Sequence, residues 1–178
     1  MAKRSFPLSR VYGLLEPGPV LLLSTAHKGR SNVMAMSWHT MMEFEPPLVG
    51  CVVSGRDFSF AALKATRQCV LNIPTAELVE KVVGCGNTTG RRVDKFKAFG
   101  LTPVPAALVA APLIAECYAN LECRVADARL VNRYNFFVLE VQKAWLDPAC
   151  KDPRTLHHRG RGSFMVAGET IKLASRMK

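Results

Sequence analysis

Three short segments carry residue types and spacings that could hold an anion or a flat ligand. The first is Val53-Ser-Gly-Arg-Asp-Phe-Ser-Phe60. A glycine turns the chain after an apolar run, and a helix starting near Ser59 would present N–H groups and partial positive charge to a phosphate. Arg56 would add a forked, charge-assisted contact, and Ser54 and Ser59 would add hydroxyls. A capped helix with a solvated arginine is the plainer reading of the same residues. The second is Gly84-Cys-Gly-Asn-Thr-Thr-Gly90, followed by Arg91 and Arg92. Read as a loop, it offers exposed amides, two hydroxyls and two cations to a phosphate or carboxylate, though it could equally be a loop and nothing more. The third is Asn32-Val-Met-Ala-Met-Ser-Trp-His-Thr40. On one strand, Met34, Met36, Trp38 and Thr40 share a face, and Val33, Ala35, Ser37 and His39 share the other. Methionine and tryptophan suit a flat aromatic ligand, and they suit a core strand too. Four consecutive hydrogen-bonding side chains, Ser37 to Thr40, are unusual in a fully buried strand.

Several chemistries lose ground. The glycines follow a G-x-G-x-x-x-G spacing after a stretch (78–83) with helical periodicity, so the strand–turn–helix dinucleotide fingerprint is rejected. His157 and His158 are adjacent and would point oppositely on a strand, and no Cys/His spacing accompanies them, so no metal site is expected. No Walker loop, G-x-S-x-G elbow or paired-carboxylate signature is present. The 178 residues suffice for one domain, with 49% hydrophobic and 21% charged residues, which excludes a disordered chain. A net charge of +10 attracts phosphates, nucleotides, nucleic acid or an acidic partner. Nucleic-acid binding remains a remote alternative, since no RNP-like strand, zinc finger or basic helix supports it; it predicts a colourless protein whose binding is steeply salt-dependent. No apolar run reaches the ~20 residues of a membrane span, and six cysteines without a C-x-x-C pair fit free thiols in a reducing cytoplasm.

The elements that must position these segments are mostly short strands. Runs at 20–25, 32–40, 48–54, 68–73, 116–125 and 136–145 read as strands, the first two as a hairpin. From 116 to 125 the alternation is strict: Glu116, Tyr118, Asn120, Glu122 and Arg124 face water or a groove, and the residues between them face a core. Short helices are expected at 58–66, 77–83 and 94–99. Six or more antiparallel strands with few helices make this an all-β protein, a small β-barrel with short helices.

In this order, Asn-x-Met-x-x-Ser-Trp-His-Thr, Glu-Phe-Glu-Pro-Pro-Leu with Val-Ser-x-Arg-x-x-Ser, and Cys-Gly-Asn-Thr-Thr-Gly-Arg-x-x-Asp-Lys-Phe resemble the flavin reductase-like, FMN-binding split-barrel family, nearest its flavoredoxin branch. The resemblance spans about residues 20–173 of a single domain covering 1–178. It implies a six-stranded antiparallel Greek-key barrel, a homodimer, and one FMN per subunit, with FAD disfavoured because no adenosine-binding motif is visible. Asn32 and Met34, Ala35, Met36, Ser37, Trp38, His39 and Thr40 would line the isoalloxazine. Ser54, Arg56, Phe58 and Ser59 would hold the phosphate, and Thr88, Thr89, Gly90 and Arg91 would close over it. Arg92, His158 and Phe164 are candidate nucleotide or ring contacts, although Ser163 or Phe164 replaces a tyrosine frequent in the family. The implied activity is an oxidoreductase passing electrons from NADH or NADPH through flavin to free flavin, ferric iron or a protein acceptor. The alternative is an electron carrier that exchanges with a redox partner without efficient NAD(P)H oxidation.

Overall fold

The computed structural model describes residues 3–15 and 18–174. In chain order its elements are β1 (Arg4–Phe6), α1 (Tyr12–Leu15), β2 (Leu21–His27), β3 (Arg30–Met36), β4 (His39–Phe44), β5 (Pro47–Val52), α2 (Phe58–Thr66), β6 (Gln68–Ile73), α3 (Val79–Asn87) and α4 (Lys95–Ala98). They continue as β7 (Pro103–Val104), β8 (Leu113–Ile114), β9 (Ala119–Asp127), α5 (Val131–Tyr134), β10 (Phe136–Leu146), β11 (Leu156–Gly160) and β12 (Ser163–Val166). Among the described residues the main sheet has eight strands rather than six, antiparallel throughout, in the order β3-β2-β6-β9-β10-β5-β4 with β1 added beside β10.

β3 and β4 occupy opposite ends of that order, yet only Ser37 and Trp38 separate them in the chain. The three residue steps from Met36 to His39 span at most ~11 Å, so the sheet must curl to bring its ends near each other. The expected single strand 32–40 is therefore two strands. It breaks because the chain leaves β2 at Met36 and crosses to β5, where Val52 N–H donates to the Trp38 carbonyl (3.0 Å) and His39 pairs with Cys51. The two-faced pattern read across 32–40 consequently ends at Met36.

β3 separates two cores. Met36, with Met34 packed behind it, faces a cluster that includes Leu21, Leu23, Val49, Leu71, Leu121 and Phe137. Val33 and Ala35 face the opposite cluster, where Leu22, Val82, Cys85, Phe96 and Leu156 seat α3, α4 and the β11–β12 hairpin. α3 also departs from expectation: it runs on through Gly84, Cys85 and Gly86 to Asn87, so the glycine cluster is half helix. Glycine costs about 1 kcal/mol in a helix. Here contact demands it, because a Cβ at Gly84 would sit 2.5–3.0 Å from the Phe99 ring.

The polar face of β9 is open to water at Arg124 but not at Asn120 and Glu122. Asn120 and Glu122 are buried beneath the segment from Pro103 to Ile114, whereas Tyr118, just before the strand, is buried in the first core. Glu122 accepts from Ala107 N (3.0 Å), Leu108 N (2.6 Å) and Trp145 Nε1 (2.7 Å). Asn120 donates to Asn72 Oδ1 (2.7 Å) and the Ile114 carbonyl (3.1 Å). The alternation was real, but the covering loop brought its own N–H groups to satisfy it.

Candidate functional site

A groove follows the outer edge of β3. Among the described residues that strand pairs with β2 alone, so its other edge keeps backbone donors and acceptors for a ligand. Three adjoining hollows lie along it, and Ala35 lines all three.

The first hollow, about 290 Å³, lies between the start of α2 and the end of α3. Arg56 is exposed at its rim, with Phe58, Thr88, Thr89 and Gly90 around it and Asn32 and Met34 at its back. Its turn is held by Asp57, whose carboxylate accepts from Ser54 N (3.2 Å) rather than capping α2, and by Ser54 Oγ, which accepts from Arg56 N (3.2 Å). Gly90 must be glycine: a Cβ there would overlap the Asn32 amide and lie 2.7 Å from Phe58. Across the hollow stands Lys95, only 5% exposed. Asp94 caps α4 through Phe96 N (3.1 Å) and Lys97 N (3.3 Å) and so points Lys95 inward. Its Nζ donates to the Cys85 carbonyl (2.7 Å), and among the described residues no carboxylate lies within 4 Å of it. Burial holds its pKa below the ordinary lysine value, with Asp57 and Cys85 only partly opposing that; burial in turn pushes the Cys85 thiol up to about 11.

The second hollow, about 240 Å³, is lined by Met34, Ala35, Met36, Ser37 and Trp38 opposite Ser54 and Asp57. Trp38 is 72% exposed at its edge. The third and largest, about 530 Å³, shares Ala35, Met36 and Ser37 with it and is closed by the β11–β12 hairpin, including His158 and Phe164. Those two rings are in contact, with centroids 5.2 Å apart.

Five sequence candidates lie outside the hollows. Ser59 is 1% exposed, and its Oγ accepts from Asn32 Nδ2 (2.8 Å) inside the core. His39 binds the Pro19 carbonyl through Nε2 (2.6 Å), which makes Nε2 the protonated nitrogen and leaves the buried Nδ1 unpartnered; burial lowers its pKa. Thr40 is exposed on β4 and bonded to the Met41 carbonyl (3.1 Å). Arg91 lies over the outer side of the Phe58 ring (5.9 Å), and Arg92 is exposed beyond it. In turn, Lys95, Asp57, Arg30 and Arg161 were not singled out. Arg30 donates to the Gly90 and Arg91 carbonyls and stacks on Phe58 at 5.0 Å, fastening the threonine loop across β3. The Asp94-Lys-Phe96 run could have flagged Lys95, since a capping aspartate and a buried phenylalanine flank it.

Residues 14–164 match the family described as Flavin reductase like domain. YddH of Escherichia coli (strain K12) is 30% identical over 172 residues, covering 89% of this chain and 91% of its own. An FMN-binding domain of a flavin reductase-like enzyme from Shewanella baltica OS155 superposes with a TM-score of 0.90 at 25% identity, over 97% of this chain and 98% of that one. Flavoredoxin from Methanosarcina acetivorans gives 0.75 at 28% identity over 89% of each. With a curled antiparallel sheet, a groove on its edge strand and a family match across most of its length, the chain belongs to the flavin reductase-like domain family.

Proposed function

We propose that the β3-edge groove holds one FMN and that the protein is an FMN-dependent oxidoreductase. The observation that carries this reading is Lys95, a buried cation with no carboxylate within 4 Å among the described residues, facing a hollow that also gathers Arg56, Asp57, two threonines and Gly90. A buried charge is costly until it is paired, and a phosphate dianion supplies the missing partner. Lys95 and Arg56 would neutralise the phosphate, and Thr88 and Thr89 would donate to it. Asn32 is committed to Ser59 and acts by shaping the wall. The ribityl chain would pass Met34 and Ala35, and the ring would lie along the β3 edge toward Ser37 and Trp38, its polar rim read by backbone groups. Such a ligand fits a strand edge with unpaired amides and a loop glycine that leaves no room for a side chain. When bound, FMN supplies reversible hydride and single-electron chemistry, and the chain supplies position, water exclusion and a cationic field.

NADH or NADPH is the proposed donor, with flavin, ferric iron or a redox protein as acceptor. The Trp38 and Met42 side chains, exposed beside the groove on the edge formed by β4, support pairing with a second copy of the chain. The test is direct. Protein purified without added cofactor should be yellow and release FMN on denaturation, and anaerobic mixing with NADH or NADPH should bleach it. A colourless protein that takes up no FMN at saturation would overturn the reading.

A further inference from the structure

The first and second hollows of the groove meet at a neck, and three residues line both of them: Met34 and Ala35 on β3, and Asp57 on the opposite wall. Met34 and Ala35 offer only carbon and a thioether sulfur, so Asp57 carries the one side chain at the neck that can form a strong hydrogen bond. It stands at the N-cap position of α2, where aspartate is favoured for bonding the first helical N–H groups, yet it bonds none of them. Oδ2 turns back to accept from Ser54 N (3.2 Å), while Oδ1 is neither sealed in the protein nor hydrogen-bonded among the described residues. No lysine or arginine among them lies within 4 Å of the carboxylate, although Lys95 feels its field from farther off. Asp57 is thus the odd group of the phosphate hollow. A phosphate needs cations and donors, which Lys95, Arg56, Thr88 and Thr89 supply, whereas a carboxylate only accepts and repels a phosphate set beside it. In the second hollow it is the only acidic or basic side chain, facing Met36, Ser37 and Trp38. From end to end the groove presents cations and hydroxyls, then a free acceptor at the neck, then an apolar and aromatic bed. The complement of that order is an anion, a chain bearing hydroxyl donors, and a flat ring.

We propose that Asp57 accepts hydrogen bonds from hydroxyls of the chain that joins phosphate to ring, and so selects a polyhydroxylated linker and fixes the register of the ligand along β3. This inference rests on the FMN reading, whose ribityl chain supplies such hydroxyls. A phosphate is kept from sliding toward the second hollow by the carboxylate at the neck. A ring is kept from sinking into the first hollow, because it would cover Oδ1 without offering it a donor. Asp57 is therefore a specificity-determining residue, separate in role from the cations that hold the phosphate.

The experiment measures dissociation constants of FMN, riboflavin and lumiflavin by fluorescence quenching, for the unaltered chain, Asp57→Ala and Asp57→Asn. Riboflavin and lumiflavin differ by the hydroxylated chain, and FMN and riboflavin by the phosphate, so the two ratios read linker and phosphate separately. Riboflavin is expected to bind the unaltered chain at least about 10-fold more tightly than lumiflavin. Asp57→Ala is expected to remove most of that preference while the FMN-over-riboflavin ratio holds or rises, since a repulsive neighbour of the phosphate has gone. Asp57→Asn keeps an oxygen for Ser54 N and is expected to retain about a third of the preference, a neutral acceptor being weaker than a carboxylate. Should Asp57→Ala not fold, Asp57→Asn decides by the same ratio. Riboflavin binding the unaltered chain no better than lumiflavin overturns the proposal, as does an unchanged preference in the variants. A fall in the FMN-over-riboflavin ratio with the linker preference intact overturns it by reducing Asp57 to a brace for the turn that carries Arg56. An equal loss for all three flavins overturns it by making Asp57 part of the wall's shape. If the unaltered chain binds none of the three, the FMN reading fails and takes this assignment with it; FMN bound tightly without a linker preference overturns this assignment alone.

Discussion

Two regions of this molecule bury charge, and they do it differently. On the β9 face, Glu122 accepts three N–H donors and Asn72 and Asn120 bond each other, while Lys3 donates to Asn120 and to the Ile114 carbonyl (3.0 Å). This cluster is nearly closed on itself and lies under a loop. At the β3 edge, Lys95 has one protein acceptor and faces a hollow. Burial of a charged residue therefore does not mark a site; unfilled hydrogen-bonding capacity beside open volume does. The first region holds the fold together, and the second is arranged for something to arrive.

That contrast can be broken, beginning with the largest effect. Glu122→Ala removes the acceptor of three buried donors and should lower unfolding free energy by roughly 3 kcal/mol in denaturant titration, with FMN affinity per folded molecule unchanged. Lys95→Met should do the reverse. It removes a desolvated cation, so stability should hold or rise, while FMN affinity falls on the order of 100-fold by fluorescence quenching. If Lys95→Met instead unfolds the protein and spares affinity, the two regions are of one kind. Gly90→Ala should weaken FMN about 10-fold and cost about 1–3 kcal/mol, because the new methyl collides with Asn32 and Phe58. The smallest effect expected is on pH dependence. Lys95 has a lowered pKa in the FMN-free protein and binds phosphate when protonated. Above neutrality, where the phosphate is already dianionic, affinity should therefore be full below that lowered pKa and decline as pH rises through it. Arg56 and Asp57 face the same hollow, and burial pushes the Cys85 thiol up to about 11, so Lys95→Met should flatten the alkaline limb.

Much of the site's chemistry was legible as residue type. Asn32, Met34, Arg56, Phe58, Thr88, Thr89 and Gly90 converge on one hollow, from three separate segments. Less legible was which side chains were already spent. Ser59 looks like a phosphate ligand at a helix start, yet it is sealed against Asn32, a contact 27 positions away in the chain. Thr40 and His39 were drawn to the ring by a strand that in fact ends at Met36. His158 and Phe164 were candidates, but nothing in their local sequence said that they would meet across a hairpin and close a cavity.

The sequence by itself determined most of the strands, where the short helices begin and several of the donors that could meet an anion, because propensity, periodicity and capping act over a few residues. Only the tertiary structure decided which of those donors remained unspent. Whether Lys95 or Glu122 has room for a ligand depends on the loop or helix folded over it, and that is fixed by the curl of the sheet, which brings β3 and β4 together around Ser37 and Trp38.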